Sequence, residues 1–116
     1  MAKFDIFTKP FSWLYPFYLE KAEKKGKTKA ELDRILCWVT GYSQAEFDTL
    51  ITSDTDLRTF IEQAPLNPDR ELITGVVCGV RVEEVEDPLM RELRYMDKVV
   101  DELARGKKIE SILRTP

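Results

Sequence analysis

No histidine occurs anywhere in this 116-residue chain, and only two cysteines do, Cys37 and Cys78. General acid/base catalysis near neutral pH rests most often on histidine, so serine triads and histidine-ligated zinc or iron sites drop out together. Two cysteines forty-one positions apart (78 minus 37) make neither a C-x-x-C redox pair nor a four-cysteine zinc site, and each lies in an apolar stretch, which predicts free, buried thiols. Long apolar runs are missing too. Ile35–Val39 is typical, far short of the roughly 20 residues that a bilayer span needs. The opening Met1-Ala2-Lys3-Phe4 lacks the basic start and apolar middle of a secretory signal, so the expected address is cytoplasmic, with no membrane contact. Neither Gly-rich phosphate loop pattern is present.

What remains is 43% hydrophobic and 34% charged, a globular composition at the common size for one domain. The net charge of −3 argues against nucleic acid as a partner, since that role calls for a cationic surface. Charge is nevertheless uneven. Lys21, Lys24, Lys25, Lys27 and Lys29 form a basic stretch, and Glu83, Glu84, Glu86 and Asp87 an acidic one. Solvated helix ends explain both, with contacts between the two stretches as the alternative.

Helical periodicity dominates the chain. Residues 1–10 show no period and are expected to form an arm that packs Phe4, Ile6 and Phe7 on the body. Phe11, Leu14, Tyr15, Tyr18, Leu19 and Ala22 then recur at helical steps, although Pro16 places the regular start near Tyr15, with Gly26 as the stop. Thr28-x-x-Glu31 and Ser43-x-x-Glu46 are two capping boxes, each opening a helix. The first of these buries Leu32, Ile35, Leu36 and Val39 and ends at Gly41; the second buries Phe47, Leu50 and Ile51. Ser53 or Asp54 can cap the helix carrying Leu57, Phe60, Ile61 and Ala64. Asn67-Pro68 and Asp87-Pro88 are cap-plus-proline starts, and Leu89, Leu93, Met96, Val100 and Leu103 give the strongest amphipathic pattern, closed by Gly106 before a last short helix.

Residues 72–85 divide the signals. Val80-Arg81-Val82-Glu83 alternates like a strand and β-branched residues abound, yet Leu72, Ile73, Val76, Val77, Val80 and Glu84 keep a helical step behind a good cap. A lone strand has no partner to pair with, so helix is the favoured reading. The expected architecture is therefore all-α, a compact single-domain helical bundle of about six helices over residues 1–116, with the long helix from Pro88 lying against the 72–85 segment.

On that helix Gly75 and Gly79 fall on one side with Cys78 beside them. Each glycine costs about 1 kcal/mol against alanine there, which something must offset. Close approach of a neighbouring helix is the bland reading; a seam between two subunits and a ligand against bare backbone are the others. Gly75, Cys78 and Gly79 are thus the candidate interface of a homodimer or of a complex with another protein. Arg81, Glu84, Arg94, Tyr95 and Asp97 are candidate ligand-binding residues, since arginine with hydroxyl and carboxylate groups beside a glycine-bearing helix can line a polar pocket. The acidic run suits magnesium or calcium in ligand type but not in spacing, because its side chains diverge and Asp87 is better used as a cap. No metal and no cofactor is expected.

Tyr15-Pro16, the stretch from Lys21 to Gly26, Trp38 with Thr40-Gly41-Tyr42-Ser43, and Asn67-Pro68 together carry a family resemblance. It continues through Leu72-Ile73-Thr74-Gly75-Val76-Val77-Cys78-Gly79, Arg81-Val82-Glu83-Glu84, Asp87-Pro88-Leu89-Met90 and Arg94-Tyr95-Met96-Asp97-Lys98. The chain resembles the bacterial domain of unknown function 2200 family over nearly its whole length. That resemblance implies a small bacterial protein with no assigned activity and transfers no catalytic residue. The function expected is a non-enzymatic interaction or regulatory module; a small-molecule binding protein or minor enzyme is the alternative.

Overall fold

Both capping boxes do in space what their chemistry predicts. In the computed structural model, which describes residues 5–116, Thr28 Oγ1 accepts from the Glu31 amide at 3.1 Å while the Glu31 carboxylate accepts from the Thr28 amide at 3.0 Å. Ser43 and Glu46 repeat the exchange. These boxes open α2 (Lys29–Thr40) and α3 (Gln44–Leu50). Gly41 ends α2 in the left-handed conformation at φ 78°, where a Cβ would collide with the Pro65 carbonyl. Only glycine fits there.

Two helix starts differ from expectation. α1 runs Phe11–Lys24, four residues earlier than Pro16 suggested, with that proline inside it. Pro16 gives up the bond to the Ser12 carbonyl, but it is exposed, so water can replace that bond, and the early turn seats Phe11 in the core. An antiparallel bridge between Pro10 and Asp56 anchors the turn: Phe11 donates its amide to Thr55 O at 3.0 Å, and Leu57 donates to Lys9 O at 2.8 Å. The same bridge holds Asp56 extended. Asp56, rather than Ser53 or Asp54, therefore caps α4 (Leu57–Glu62), accepting from the Thr59 amide at 2.7 Å. Before α1, Ile6–Thr8 forms a 3-10 turn that buries Phe7; Phe4 lies outside the described residues.

The largest correction concerns residues 72–85. Asn67 caps a 3-10 helix, Pro68–Leu72, which does not propagate. A two-stranded antiparallel hairpin follows, β1 (Val76–Val77) with β2 (Val80–Arg81), in register Val76 to Arg81 and Val77 to Val80. A further 3-10 turn, Val82–Glu84, leads towards Asp87, whose carboxylate caps α5 (Pro88–Ala104). The loop residues Cys78 and Gly79 have φ of 52° and 75°, the type I′ signature of a two-residue hairpin loop, and Gly75 stands at φ 109°. Three positive φ values within five residues exclude a helix. The missing strand partner is thus the chain's own next four residues.

α5 forms the centre of the fold. It packs on α1, α2, α4, the hairpin, the turn after it, and α6 (Ile109–Ile112). Leu93, Met96, Val99, Val100 and Leu103 are its core face. An aromatic cluster fills the other end: Phe11 stacks on Phe60 with ring centres 3.9 Å apart, and Phe47 meets Phe11 and Tyr15 edge-on at 5.6 and 5.7 Å. The architecture is mostly helical, with six α-helices among the described residues and one small hairpin.

Candidate functional site

The expected pocket residues do not converge. Arg81, on β2, is exposed and pairs with Glu83 at 3.2 Å; Glu84 is exposed at the end of the following turn. Arg94 and Asp97 lie one turn apart on α5 and do meet, with Arg94 Nη1 3.3 Å from Asp97 Oδ2. Tyr95 points elsewhere. It is buried at 4% exposure, and the charges acting on its hydroxyl are those of Arg91, Glu92, Glu71 and Arg70. Nor do Gly75 and Gly79 make a helix face: Gly79 is at the hairpin tip in open space, and a Cβ on Gly75 would meet Lys98 Cε at 3.1 Å. Cys78 is exposed rather than buried, because the turn carries it outward; Cys37 is half-buried, and both thiols are free.

Tertiary packing adds two tyrosines whose helical spacing had marked them only as core. Tyr18 of α1 donates its hydroxyl to Asp97 Oδ1 at 2.6 Å, completing a Tyr18–Asp97–Arg94 cluster. Burial, with the Asp97 charge, lifts the Tyr18 hydroxyl well above its ordinary range, so it remains a donor. Burial also raises Asp97 above the usual carboxylate value, against the opposing pull of Tyr18, Arg94 and Lys21. Arg94 Nε is buried there with no hydrogen-bond partner. Tyr15 does for Asp33 what Tyr18 does for Asp97. The Asp33 carboxylate, 2% exposed as a residue, accepts from the Tyr15 hydroxyl, from Lys29 Nζ at 2.5 Å and from Gln44 Nε2 at 3.0 Å. Burial and then Asp33 push the Tyr15 hydroxyl far up. A surface depression of about 380 Å³ lies over this cluster, lined by Lys29, Ala30, Asp33, Gln44 and Asp48.

Two further buried acids are also satisfied. Arg70 grips Glu92 bidentately at 2.7 and 2.9 Å, fastening the 3-10 helix to α5. Glu102 accepts from Arg114 at 2.7 Å and from Lys107 at 3.2 Å, which holds the C-terminal residues against α5. Burial works to raise the Glu102 pKa, but Arg114 and Lys107 outweigh it and hold it low. Buried carboxylates paired in this way knit helices together. Among the described residues, no three His, Cys, Asp or Glu side chains are grouped to hold a metal ion, and no helix is long and apolar enough to cross a membrane.

Fold and clusters together define a small helical domain braced by buried ion pairs and carrying an exposed hairpin. The model of the family described as "uncharacterized protein conserved in bacteria (DUF2200)" matches residues 5–114, and the chain belongs to that family. It is also similar to a solved structure titled "Crystal structure of uncharacterized protein SP1917", at 38% identity and a TM-score of 0.88, over 93% of this chain and 89% of that one. No curated protein matches it.

Proposed function

We propose that this chain is a non-enzymatic interaction module of the bacterial cytoplasm that self-associates through its hairpin. One observation carries the reading: Leu72 and Val76, at 42% and 47% exposure, are large apolar side chains left in water on either side of Gly75. Cys78 and Gly79 continue the same exposed segment. Leu72 ends the 3-10 helix and Val76 opens β1, four positions apart, and exposed apolar residues close together mark interaction surfaces better than scattered ones do. The exposed free thiol of Cys78 suits a reducing compartment. Sedimentation equilibrium at high micromolar concentration tests the proposal. A dimer that becomes monomeric in the Leu72→Asp/Val76→Asp double variant, with unchanged circular dichroism, supports it; a monomeric wild type refutes it.

The second reading is a small-molecule site at the Tyr18–Asp97–Arg94 cluster, favoured by the unpartnered Arg94 Nε. In that reading an acceptor atom of the ligand takes the free N–H, while Arg81, Glu84 and Tyr95 contribute only after rearrangement. Native mass spectrometry of the protein as purified decides it. A reproducible adduct that Arg94→Lys abolishes supports the site, and bare protein removes it.

A further inference from the structure

Two basic runs eighty positions apart in sequence (105 minus 25) end side by side in space. α1 and α5 run parallel, since Tyr18 bonds to Asp97 and, one turn on, Lys21 to Asp101 at 3.1 Å. Asp101 is shared: its other oxygen accepts from Arg105 at 2.8 Å, tying the last turn of α1 to the end of α5. Both helices then close with the same motif. Gly26 donates to Glu23 O and Lys27 to Ala22 O; Gly106 donates to Leu103 O and Lys107 to Glu102 O, all at 3.0 Å. Each is a Schellman turn, with glycine in the left-handed region at φ 76° or 89° and lysine next. The outcome is a pair of adjacent corners, Lys25-Gly26-Lys27 and Arg105-Gly106-Lys107-Lys108.

Cations in a last helical turn complement the helix dipole, and that accounts for Lys21 and Lys24. It does not account for Lys27, Lys107 and Lys108, which lie beyond the helix ends. Lys24 is taken by Glu20, Arg105 by Asp101 and Lys107 by Glu102. Lys25, Lys27 and Lys108 form no ion pair among the described residues, and Lys25 and Lys108 are exposed. A chain of net charge −3 therefore keeps a surplus of positive charge at one end.

We propose that these paired corners dock a carboxylate-rich segment of a partner protein. Charge complementarity selects an acidic occupant, and one observation favours protein over nucleic acid. Residues 19–27 and 98–108 contain no aromatic side chain on which bases could stack. The surface is independent of the hairpin, so either proposal can fail alone.

Fluorescence anisotropy at low salt, with a labelled oligoglutamate peptide and the full chain, provides the test. Lys25→Glu/Lys27→Glu/Lys108→Glu should weaken binding by about tenfold or more. Arg34→Glu/Thr52→Glu/Arg58→Glu/Gln63→Glu, which changes net charge equally at exposed positions outside both corners and the hairpin, should leave most of it. In wild-type protein, the peptide should shift the amide resonances of Gly26 and Gly106 and leave those of Gly75 and Gly79 in place, a readout that needs no variant to fold. Absence of binding, equal loss in both variants, shifts spread over all four glycines, or tighter binding of oligothymidylate than of oligoglutamate would each overturn the proposal.

Discussion

The stretch from Thr28 to Leu50 and the stretch from Leu72 to Glu84 have similar apolar content and opposite outcomes. In the first, cap, period and stop agree: two capping boxes, an apolar face and a glycine stop each specify the same helices. In the second, Asn67-Pro68 starts a helical turn and the apolar residues keep a helical step, but the backbone turns at Gly75 and again at Cys78-Gly79. The difference teaches that a cap announces a first turn and does not guarantee its propagation. What continues a helix is burial of its stripe. Only Ile73, Val77 and Val82 are buried in this segment, whereas Leu72 and Val76 remain in water. The apolar step was matched in sequence and left unused in space.

Core substitutions should separate the two stretches most widely. Phe47, fully buried between Phe11 and Tyr15, should cost about 3–5 kcal/mol when changed to alanine, whereas Val76→Ala should stay within about 0.5 kcal/mol. Urea unfolding of both variants checks this, and equal losses would erase the distinction.

Glycines come next. Gly41→Ala should lose about 3 kcal/mol, combining left-handed strain with collision against Pro65, while Cys78→Asn should gain up to about 1 kcal/mol because asparagine suits the first position of a type I′ loop. Thermal melts report both. A helix through residue 78 would predict no such gain.

Loss of one cap is smaller. Thr28→Ala and Ser43→Ala should each cost about 1 kcal/mol, and the effects should add, since the two boxes share no hydrogen bond. Addition well short of the sum would mean that the two helices are not capped independently.

The smallest effect is in the pH dependence. Glu102 and Asp101 are held below ordinary carboxylate values, so their contribution is complete above the unfolded range near about 4 and is lost as pH falls through the lower folded values. Asp97 has the opposite sign. Its raised folded value means that the native state binds its proton first, so it contributes increasing stability as pH falls through that value. Glu102→Gln should therefore flatten acid unfolding, and Asp97→Asn should steepen it. A series of denaturation curves at decreasing pH measures both slopes.

Legibility in the sequence followed the range of the interaction. Capping boxes, the Gly41 and Gly106 stops and the α5 stripe depend on residues within one or two turns of each other, and each was readable. The start of α1 was not, because Phe11 is fixed by a bridge to a segment some forty-five positions away (55 or 56 against 10 or 11). Asp56 replaced the nearer cap candidates for the same reason. Of the expected pocket only Arg94 and Asp97 meet, as neighbours one turn apart must be able to; Tyr18, the third member, comes from another helix and carries no local mark.

By itself, then, the sequence determined that this is a mostly helical domain, where most of its helices begin and end, and which stripe of α5 is buried, because those properties follow from hydrogen bonds and periodicities local to the chain. Tertiary structure decided that 72–84 folds into a hairpin, that two tyrosines bind buried carboxylates, and that two lysine-rich corners share one end. The tyrosine pairs and the shared end depend on α1, α2 and α5, far apart in sequence, packing side by side, where a carboxylate drawn out of water needs a partner that only the fold can supply. The hairpin joins near neighbours, but which of its apolar residues are buried is set by the body they pack on.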